Sequence, residues 1–160
     1  MVLWAVPQKE NGSPVARRVG RILALDFGAR HIGLAVSDEL GVTAQGLPTY
    51  HRSNKKNDLD YLRRLVRKYE VGEIVLGLPL RMSGDEGVQA EKVRAFSEEL
   101  RARLKLPVHL FDERLTSVEA NRVLRETEMS VRRRAEVVDR LAAVLILQSF
   151  LEFRKAASSG

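Results

Sequence analysis

Three acidic residues in this sequence lie beside apolar segments, where a carboxylate is costly to bury unless it is paired or holds an ion. Asp26 ends the apolar run "ILAL" and begins the tripeptide "DFG". Glu113, next to Asp112, follows the short apolar stretch "PVHLF". Asp139 lies in a long apolar helix, on one stripe with three apolar residues spaced four, three and four apart. The stripe consists of Ala143, Ile146 and Phe150.

Carboxylates that converge from separate segments, without a local His or Cys cluster, suit hard divalent cations such as Mg²⁺. Two such ions roughly 3.5–4 Å apart can activate a water molecule and stabilise the leaving oxygen in phosphodiester hydrolysis. Because neighbouring side chains diverge, only one of Asp112 and Glu113 is expected to be a primary ligand. The pattern therefore predicts a carboxylate site that binds divalent metal and acts on phosphodiester bonds.

Taken singly, each carboxylate also has an ordinary structural explanation, since structural ion pairs are common. Asp26 could satisfy a turn with Gly28, and Asp139 could cap the start of its helix or pair with the adjacent Arg140. Either acid of the Asp-Glu pair could form an ion pair with Arg114. The functional interpretation gains weight only because the predicted topology brings all three carboxylates to one region.

The elements that must position these residues follow the order βββαβαβαα. They are predicted as strands at 21–27, 32–37 and 42–50, a helix around 59–69, a strand at 73–77, a helix at about 86–104, a strand at 107–111, a helix near Thr116 and a last helix at about 136–154. Short turns make the first three strands an antiparallel meander, and right-handed crossovers place strand four beside strand one. We expect an α/β fold with a five-stranded mixed sheet flanked by helices, and ligands at the carboxyl ends of its strands.

The chain of 160 residues suits a single domain. We expect a flexible N-terminal extension at 1–20, one folded domain at 21–155 and a frayed tail at 156–160. The sequence has no cysteine, which excludes a disulfide scaffold and a thiolate metal site. The absence of a convincing secretory signal, or of a run near the roughly 20 apolar residues of a membrane span, indicates a cytoplasmic protein without a membrane partner.

Basic residues outnumber acidic ones, with 27 Lys and Arg against 21 Asp and Glu and a net charge of +6. This balance favours a polyanionic partner such as nucleic acid. Residues predicted to contact it are Arg81, in the loop "GLPLRMSGDEG" at a helix start, Arg114, and the run Arg132, Arg133 and Arg134 before the Asp139 helix.

Two other polar groups receive no functional role from the sequence. The basic face of the first predicted helix is interpreted as solvated charge; it consists of Arg63, Arg64, Arg67 and Lys68. The three histidines fit no ligand spacing; they are His31, His51 and His109.

Four segments of the sequence resemble the YqgF/RuvX family, whose fold is ribonuclease H-like. They are "LALDFGARHIGLAVSD", "IVLGLPLRMSGDEG", "FDERLTSVEA" and "VDRLAAVLILQSFLE", spread over about residues 21–153. The resemblance places the family's acidic triad on Asp26, Glu113 and Asp139, as catalytic residues and as ligands of Mg²⁺ or Mn²⁺. It implies a metal-dependent nuclease that acts in pre-16S rRNA 5′-end maturation, in Holliday junction resolution, or in both.

The resemblance has modest departures, Ala29-Arg30 after "DFG" and Arg140 after the helix aspartate, where the family leads us to expect other residues. One alternative is a non-catalytic module of the same fold that binds structured RNA, branched DNA or the ribosome. A second is an ATPase-like phosphate-binding domain, which needs a second lobe that 160 residues do not supply. A junction resolvase is expected to be a symmetric homodimer, whereas a strict monomer favours the RNA role.

Overall fold

The computed structural model describes residues 9–10, 13–14, 20–81, 83–116 and 131–158. Within these ranges, one mixed sheet of five strands has the spatial order β3-β2-β1-β4-β5. Its strands are β1 (Arg21–Phe27), β2 (His31–Ser37), β3 (Ala44–His51), β4 (Val71–Leu78) and β5 (Val108–Asp112). The first three strands are antiparallel, while β4 runs parallel to β1 and β5 parallel to β4. The predicted meander, and the position of strand four beside strand one, are confirmed.

Helices cover both faces of this sheet in the described part of the chain. They are α1 (Lys55–Lys68), α2 (Val88–Leu104) and α3 (Val131–Ser158). The first two pack on one face, and α3 packs on the other across β1, β2, β3 and β4. None of these described helices has both the length and the apolar character that crossing a membrane requires.

The alternation of side chains along β1 decides which residues face which layer. Leu23 and Leu25 are buried in the core beneath α1 and α2. Ile22 and Ala24 belong instead to the core beneath α3, where they meet Ala143. With a period of two, Asp26 continues the second series and therefore faces α3.

The carboxyl-terminal part of α3 is attached to the sheet by a partly buried ionic group, which we call the Glu73 cluster (Glu73, His109 and Arg154). Arg154 Nη2 donates to both carboxylate oxygens of Glu73, at 2.8 and 2.9 Å. His109 Nε2 lies 3.0 Å from Glu73 Oε2, and the His109 ring stacks on Phe150. Burial acts to raise the pKa of Glu73, but the hydrogen bonds from His109 and Arg154 hold that pKa below its usual value.

The last helix is longer than its sequence pattern predicts. It begins at Val131 rather than near Glu136, and it continues to Ser158, so the expected frayed tail is helical as far as that residue. Asp139 therefore lies more than two turns into the helix, and the helix dipole is not a reason for a carboxylate there. Its predicted stripe is confirmed, because Ala143, Ile146 and Phe150 are all buried.

Two local predictions have other outcomes. The second predicted helix begins at Val88 rather than near Glu86: Gly87 is the N-cap of α2, without a side-chain cap, and Ser83 Oγ donates to Asp85. The helix expected near Thr116 lies almost entirely outside the described residues. So does most of the expected N-terminal extension, where Lys9–Glu10 and Ser13–Pro14 pair as short antiparallel strands; that extension stays a prediction.

Candidate active site

Asp26 lies near the carboxyl end of β1, where a glycine on the neighbouring strand lets α3 come close. In the antiparallel register Asp26 is opposite Gly33 of β2. A Cβ atom added at Gly33 would overlap the backbone carbonyl of Asp139 and lie 3.3 Å from Asp26 Cβ. Only glycine at this position allows the α3 backbone to pass over β2, and this close approach brings Asp139 beside Asp26.

Glu113 reaches the same region from the edge strand β5, on the same face of the sheet as Asp26. It begins the 3₁₀ turn Glu113–Leu115 that directly follows β5. Its side chain extends over Gly77 of β4, where an added Cβ atom would overlap Glu113 Oε1 and lie 2.6 Å from Ile146 Cδ1. The space above Gly77 lets the Glu113 carboxyl group hydrogen-bond to the carboxylate of Asp26.

We call Asp26, Glu113 and Asp139 the acidic cluster. Burial and the nearness of the three carboxyl groups to one another shift the pKa values of two of them. Burial and then the charge of Asp139 raise the pKa of Asp26 from 3.8 to about 6, against the lowering effect of the hydrogen bond from Glu113. Burial, the Asp26 charge and the hydrogen bond raise the pKa of Glu113 from 4.5 to about 7. The pair therefore retains a proton to an unusually high pH.

A histidine that sequence reasoning missed lies beside the third carboxylate. Nδ1 of His31, the first residue of β2, is 3.6 Å from Asp139 Oδ2. The ring of His51, opposite it on β3, contacts the His31 ring edge-on at 4.6 Å between centroids. The hairpin register was the available signal: Gly28 and His31 close the β1–β2 turn, so His31 lies at the same end of the sheet as Asp26.

Asp112 and Glu113 diverge as predicted, and Arg114 pairs with the first of them. The Arg114 guanidinium donates to both Asp112 oxygens at 2.7–3.1 Å, and its backbone N–H donates to Asp112 Oδ1 at 2.9 Å. The hydrogen bond from this guanidinium holds the pKa of Asp112 below its usual range, even though burial acts in the other direction. The structure gives Arg114 an ion pair with Asp112, and its contact with substrate stays a prediction.

The structure describes the side chains of two of the five arginines that were predicted to contact nucleic acid, Arg81 and Arg114. Arg114 Nη1 lies against Gly84, 3.7 Å from where a Cβ atom would be, and Arg81 Nε lies similarly against Gly87 at 3.4 Å. Both guanidinium groups therefore border the loop that leads into α2. The side chains of three other predicted contacts lie outside the described residues, on the first turns of α3: Arg132, Arg133 and Arg134.

A second group that the sequence did not reveal holds the turn after Asp26. Arg52 Nη1 donates to the backbone carbonyls of Gly28 (2.9 Å) and Ala29 (3.2 Å), while its Nε donates to Asp58 Oδ2 at 3.0 Å. The Asp58 side chain is fully buried, with 1% exposure. This buried ion pair fixes the turn that ends β1, and so it restricts the backbone that carries Asp26.

Comparison with known proteins fits this geometry. The model of the RuvX family, described as "Holliday junction resolvase", matches residues 20–153. The chain belongs to the RuvX family. A relative from Koribacter versatilis (strain Ellin345), named "Putative pre-16S rRNA nuclease", is 63% identical over 135 residues, which are 84% of this chain and 88% of that protein. A relative of the same name from Moorella thermoacetica is 55% identical and covers 82% of this chain and 94% of its own length.

Solved structures support the fold of this RuvX-family chain. Thermus thermophilus RuvC, in complex with a Holliday junction substrate, superposes with a TM-score of 0.55 at 13% identity, over 86% of this chain and 96% of that one. A second structure of Thermus thermophilus RuvC gives a TM-score of 0.53 at 12% identity. The likeness concerns the fold alone, and it confirms the predicted α/β, ribonuclease H-like architecture.

Whether the acidic cluster suits a metal ion can be judged from its donors and charges. Among the described residues, no group of three or more His, Cys, Asp or Glu side chains is spaced as a formed metal site. The contacts in the cluster are instead pairwise, between Glu113 and Asp26 and between Asp139 and His31. The donor set nevertheless fits a hard divalent cation, because it supplies carboxyl oxygens whose mutual repulsion a cation would relieve. Binding would require the hydrogen bond between Asp26 and Glu113 to open.

Proposed function

We propose that this protein is a divalent-metal-dependent nuclease that hydrolyses phosphodiester bonds of nucleic acid, in the cytoplasm. The observation that carries the proposal is the convergence of the Asp26, Glu113 and Asp139 carboxyl groups at one end of the sheet, where burial and mutual repulsion raise the pKa values of Asp26 and Glu113. In the described part of the chain neither Asp26 nor Glu113 has an ion-pair partner. Buried carboxylates that lack a cation of their own are suited to acquire one from solution.

In this proposal Asp26, Glu113 and Asp139 together hold Mg²⁺ or Mn²⁺. The bound metal would activate a water molecule and stabilise the leaving oxygen of the phosphodiester. Without a bound cation, the raised pKa values of Asp26 and Glu113 favour a proton shared between their two carboxyl groups.

Around the cluster, arginines would bind the phosphates that flank the cleaved bond. Arg81 and Arg114 border the loop into α2, and the run of arginines on α3 precedes Asp139 in the same helix. The members of that run are Arg132, Arg133 and Arg134. Backbone phosphates suit such contacts because guanidinium groups bind them in a fork geometry.

The substrate that the comparisons favour is precursor 16S ribosomal RNA, because relatives 63% and 55% identical are named "Putative pre-16S rRNA nuclease"; its 5′ end is the part that the family resemblance implies. Branched DNA is the second candidate, because the family description specifies a junction resolvase. A four-way junction presents two equivalent strands, so resolution calls for a symmetric homodimer, and RNA end maturation does not.

The test is a cleavage assay with purified protein, Mg²⁺ or Mn²⁺, and three substrates: a precursor 16S 5′ end, a four-way DNA junction and linear single strands. Asp26→Asn, Glu113→Gln and Asp139→Asn are each expected to abolish cleavage while the far-ultraviolet circular dichroism stays unchanged. Light scattering of the active species decides between dimer and monomer. Nucleic-acid binding without cleavage by the wild-type protein in either metal would contradict the proposal and favour the non-catalytic module.

A further inference from the structure

A polar groove of about 610 Å³ lies between the edge strand β3 and α1, on the face of the sheet opposite α3. Tyr50, Ser53 and Asn57 line its upper part, and the exposed face of α1 lines the rest. Its size lies within the range of binding sites, roughly 300–1,000 Å³, but such sites for small molecules are mostly apolar. A groove with charged walls is suited instead to a charged ligand.

We call the whole groove the arginine groove, because three arginines line its lower part: Arg63, Arg64 and Arg67. Asp60 is the one acidic residue in its described lining, and it lies at 4.0 Å from Arg63, the limit of an ion pair. The Arg64 guanidinium lies over the ring of Tyr61 at 5.7 Å. The Arg67 side chain is exposed and has no hydrogen-bond or ion-pair partner among the described residues. The groove therefore carries uncompensated positive charge.

This arrangement is unfavourable for the isolated helix. Arg67 lies four residues after Arg63 and three after Arg64, and like charges at these spacings repel. The helix dipole favours basic side chains in the last turn, which accounts for Arg67 and Lys68. It does not account for the gathering of three guanidinium groups in one concavity, which a row of anionic groups would stabilise.

The groove opens at the same end of the sheet as the acidic cluster. Ser53, in its lining, directly follows Arg52, whose guanidinium donates to the carbonyls of Gly28 and Ala29 just after β1. From Asn57 the lining continues down α1 to Arg67, a distance of about 15 Å at 1.5 Å per residue. At roughly 3.4 Å per nucleotide of a stacked strand, this length matches about four nucleotides.

The aromatic rings near the groove indicate which part of a nucleic acid it would contact. Tyr50 and Tyr61 stack on each other with centroids 4.2 Å apart, and Arg64 covers Tyr61. Because these ring faces are already occupied, they form no open platform for bases. The guanidinium groups point to contact with the sugar-phosphate backbone instead.

We propose that the arginine groove binds backbone phosphates of the nucleic-acid strand whose cleavage is proposed above, several nucleotides away from the acidic cluster. The proposal rests on that function and extends it by a substrate-binding track along α1. It replaces the interpretation of this helix face as solvated charge.

The test compares two double variants that each remove two positive charges from exposed positions of α1. Arg64→Ala/Arg67→Ala alters the groove, and Lys56→Ala/Lys68→Ala is the matched control outside its lining. The probe is a fluorescein-labelled single-stranded RNA in EDTA, so that binding is measured without cleavage. The groove variant is expected to bind about tenfold more weakly and to lose about 1.5 from the slope of log K against log salt, whereas the control changes by less than about threefold.

Equal losses in the two variants would overturn the proposal, because the effect would then belong to net charge. It would also be overturned if AMP protected the groove from arginine modification while RNA bound both variants equally, since the groove would then serve free nucleotides. The assay is separate from catalysis. If the wild-type protein cleaves but the groove variant binds RNA as the control does, only the groove proposal fails. If the groove binds RNA but no metal supports cleavage, only the nuclease proposal fails.

Discussion

Partly buried carboxylates lie at both ends of the layer between the sheet and α3, and the two ends are built differently. At the start of β4, Glu73 accepts two hydrogen bonds from Arg154 and contacts His109. At the carboxyl end of β1, the hydrogen bond of Asp26 is to another acid, Glu113, and no Lys or Arg among the described residues pairs with either. Within the described residues, Glu73 is paired with cationic side chains, and Asp26 and Glu113 are not.

The directions of the pKa shifts follow from this difference. Burial acts to raise the pKa at both ends, but the partners of Glu73 reverse its effect, whereas the neighbours of Asp26 and Glu113 are themselves acidic and largely add to it. A cluster built only for stability would resemble the Glu73 cluster. The acidic cluster is stabilised by whatever brings positive charge to it, and this is the physical basis for proposing a metal-dependent site.

The largest effect should come from the acidic cluster and should concern activity. Asp26→Asn is expected to lower cleavage at least about a hundredfold, since it removes a proposed ligand of the metal ion that would stabilise charge at the reacting phosphate. In EDTA the same change should not lower the free energy of unfolding, because it removes a charge that burial and Asp139 disfavour. Single-turnover cleavage and urea denaturation measure the two quantities, and a destabilised but active variant would contradict the contrast.

The opposite result is expected at the other end of the layer. Glu73→Gln should lower the free energy of unfolding by about 2–3 kcal/mol, because it leaves the buried Arg154 and His109 without their anionic partner. Cleavage measured well below the melting temperature should remain within about threefold of wild type. Loss of cleavage in a folded Glu73→Gln protein would show that the two ends are not functionally distinct.

The pH dependence of stability should also have opposite signs at the two ends. The raised pKa values of Asp26 (3.8 to about 6) and Glu113 (4.5 to about 7) favour the protonated folded state. Their contribution, about 3 kcal/mol for either carboxyl group taken alone, is present below about pH 4 and is lost as the pH rises to about 7. The lowered pKa of Glu73 gives stability that is present above pH 4.5 and is lost as the pH falls through the folded value. Urea denaturation in EDTA at a series of pH values gives the free energy of unfolding of wild type and of Asp26→Asn/Glu113→Gln. A difference between the two that does not change with pH would refute the raised pKa values of Asp26 and Glu113.

The smallest effect should come from the ion pair that positions Asp26. Arg52→Lys keeps the charge beside Asp58 but loses the fork that also reaches Gly28 and Ala29. We expect kcat to fall about tenfold with little change in KM, and the metal concentration for half-maximal cleavage to rise, since the turn after Asp26 is less restricted. Wild-type kcat and metal dependence in this variant would remove Arg52 from the account.

The sequence predicted the sheet order and the convergence of the three carboxylates, because apolar runs, turn signals and crossover handedness act over short stretches. It did not predict the start of α3, since the basic stretch from Val131 has no apolar periodicity. His31 and the pairing of Arg52 with Asp58 were missed for a different reason. The position of His31 depends on the register of the β1–β2 hairpin, which the residue types alone do not reveal. Arg52 lies only six residues before Asp58, but its hydrogen bonds to Gly28 and Ala29 join residues more than twenty positions apart. The Glu73 cluster, which joins three separate elements, is the extreme case.

The most direct test of the central claim is Mn²⁺ binding, measured by calorimetry and by electron paramagnetic resonance, on wild type, Asp26→Asn and Glu73→Gln. We predict that wild type and Glu73→Gln bind Mn²⁺ alike and that Asp26→Asn loses this binding together with cleavage. Unchanged Mn²⁺ binding in Asp26→Asn, or its absence in a wild-type protein that still cleaves, would contradict the account.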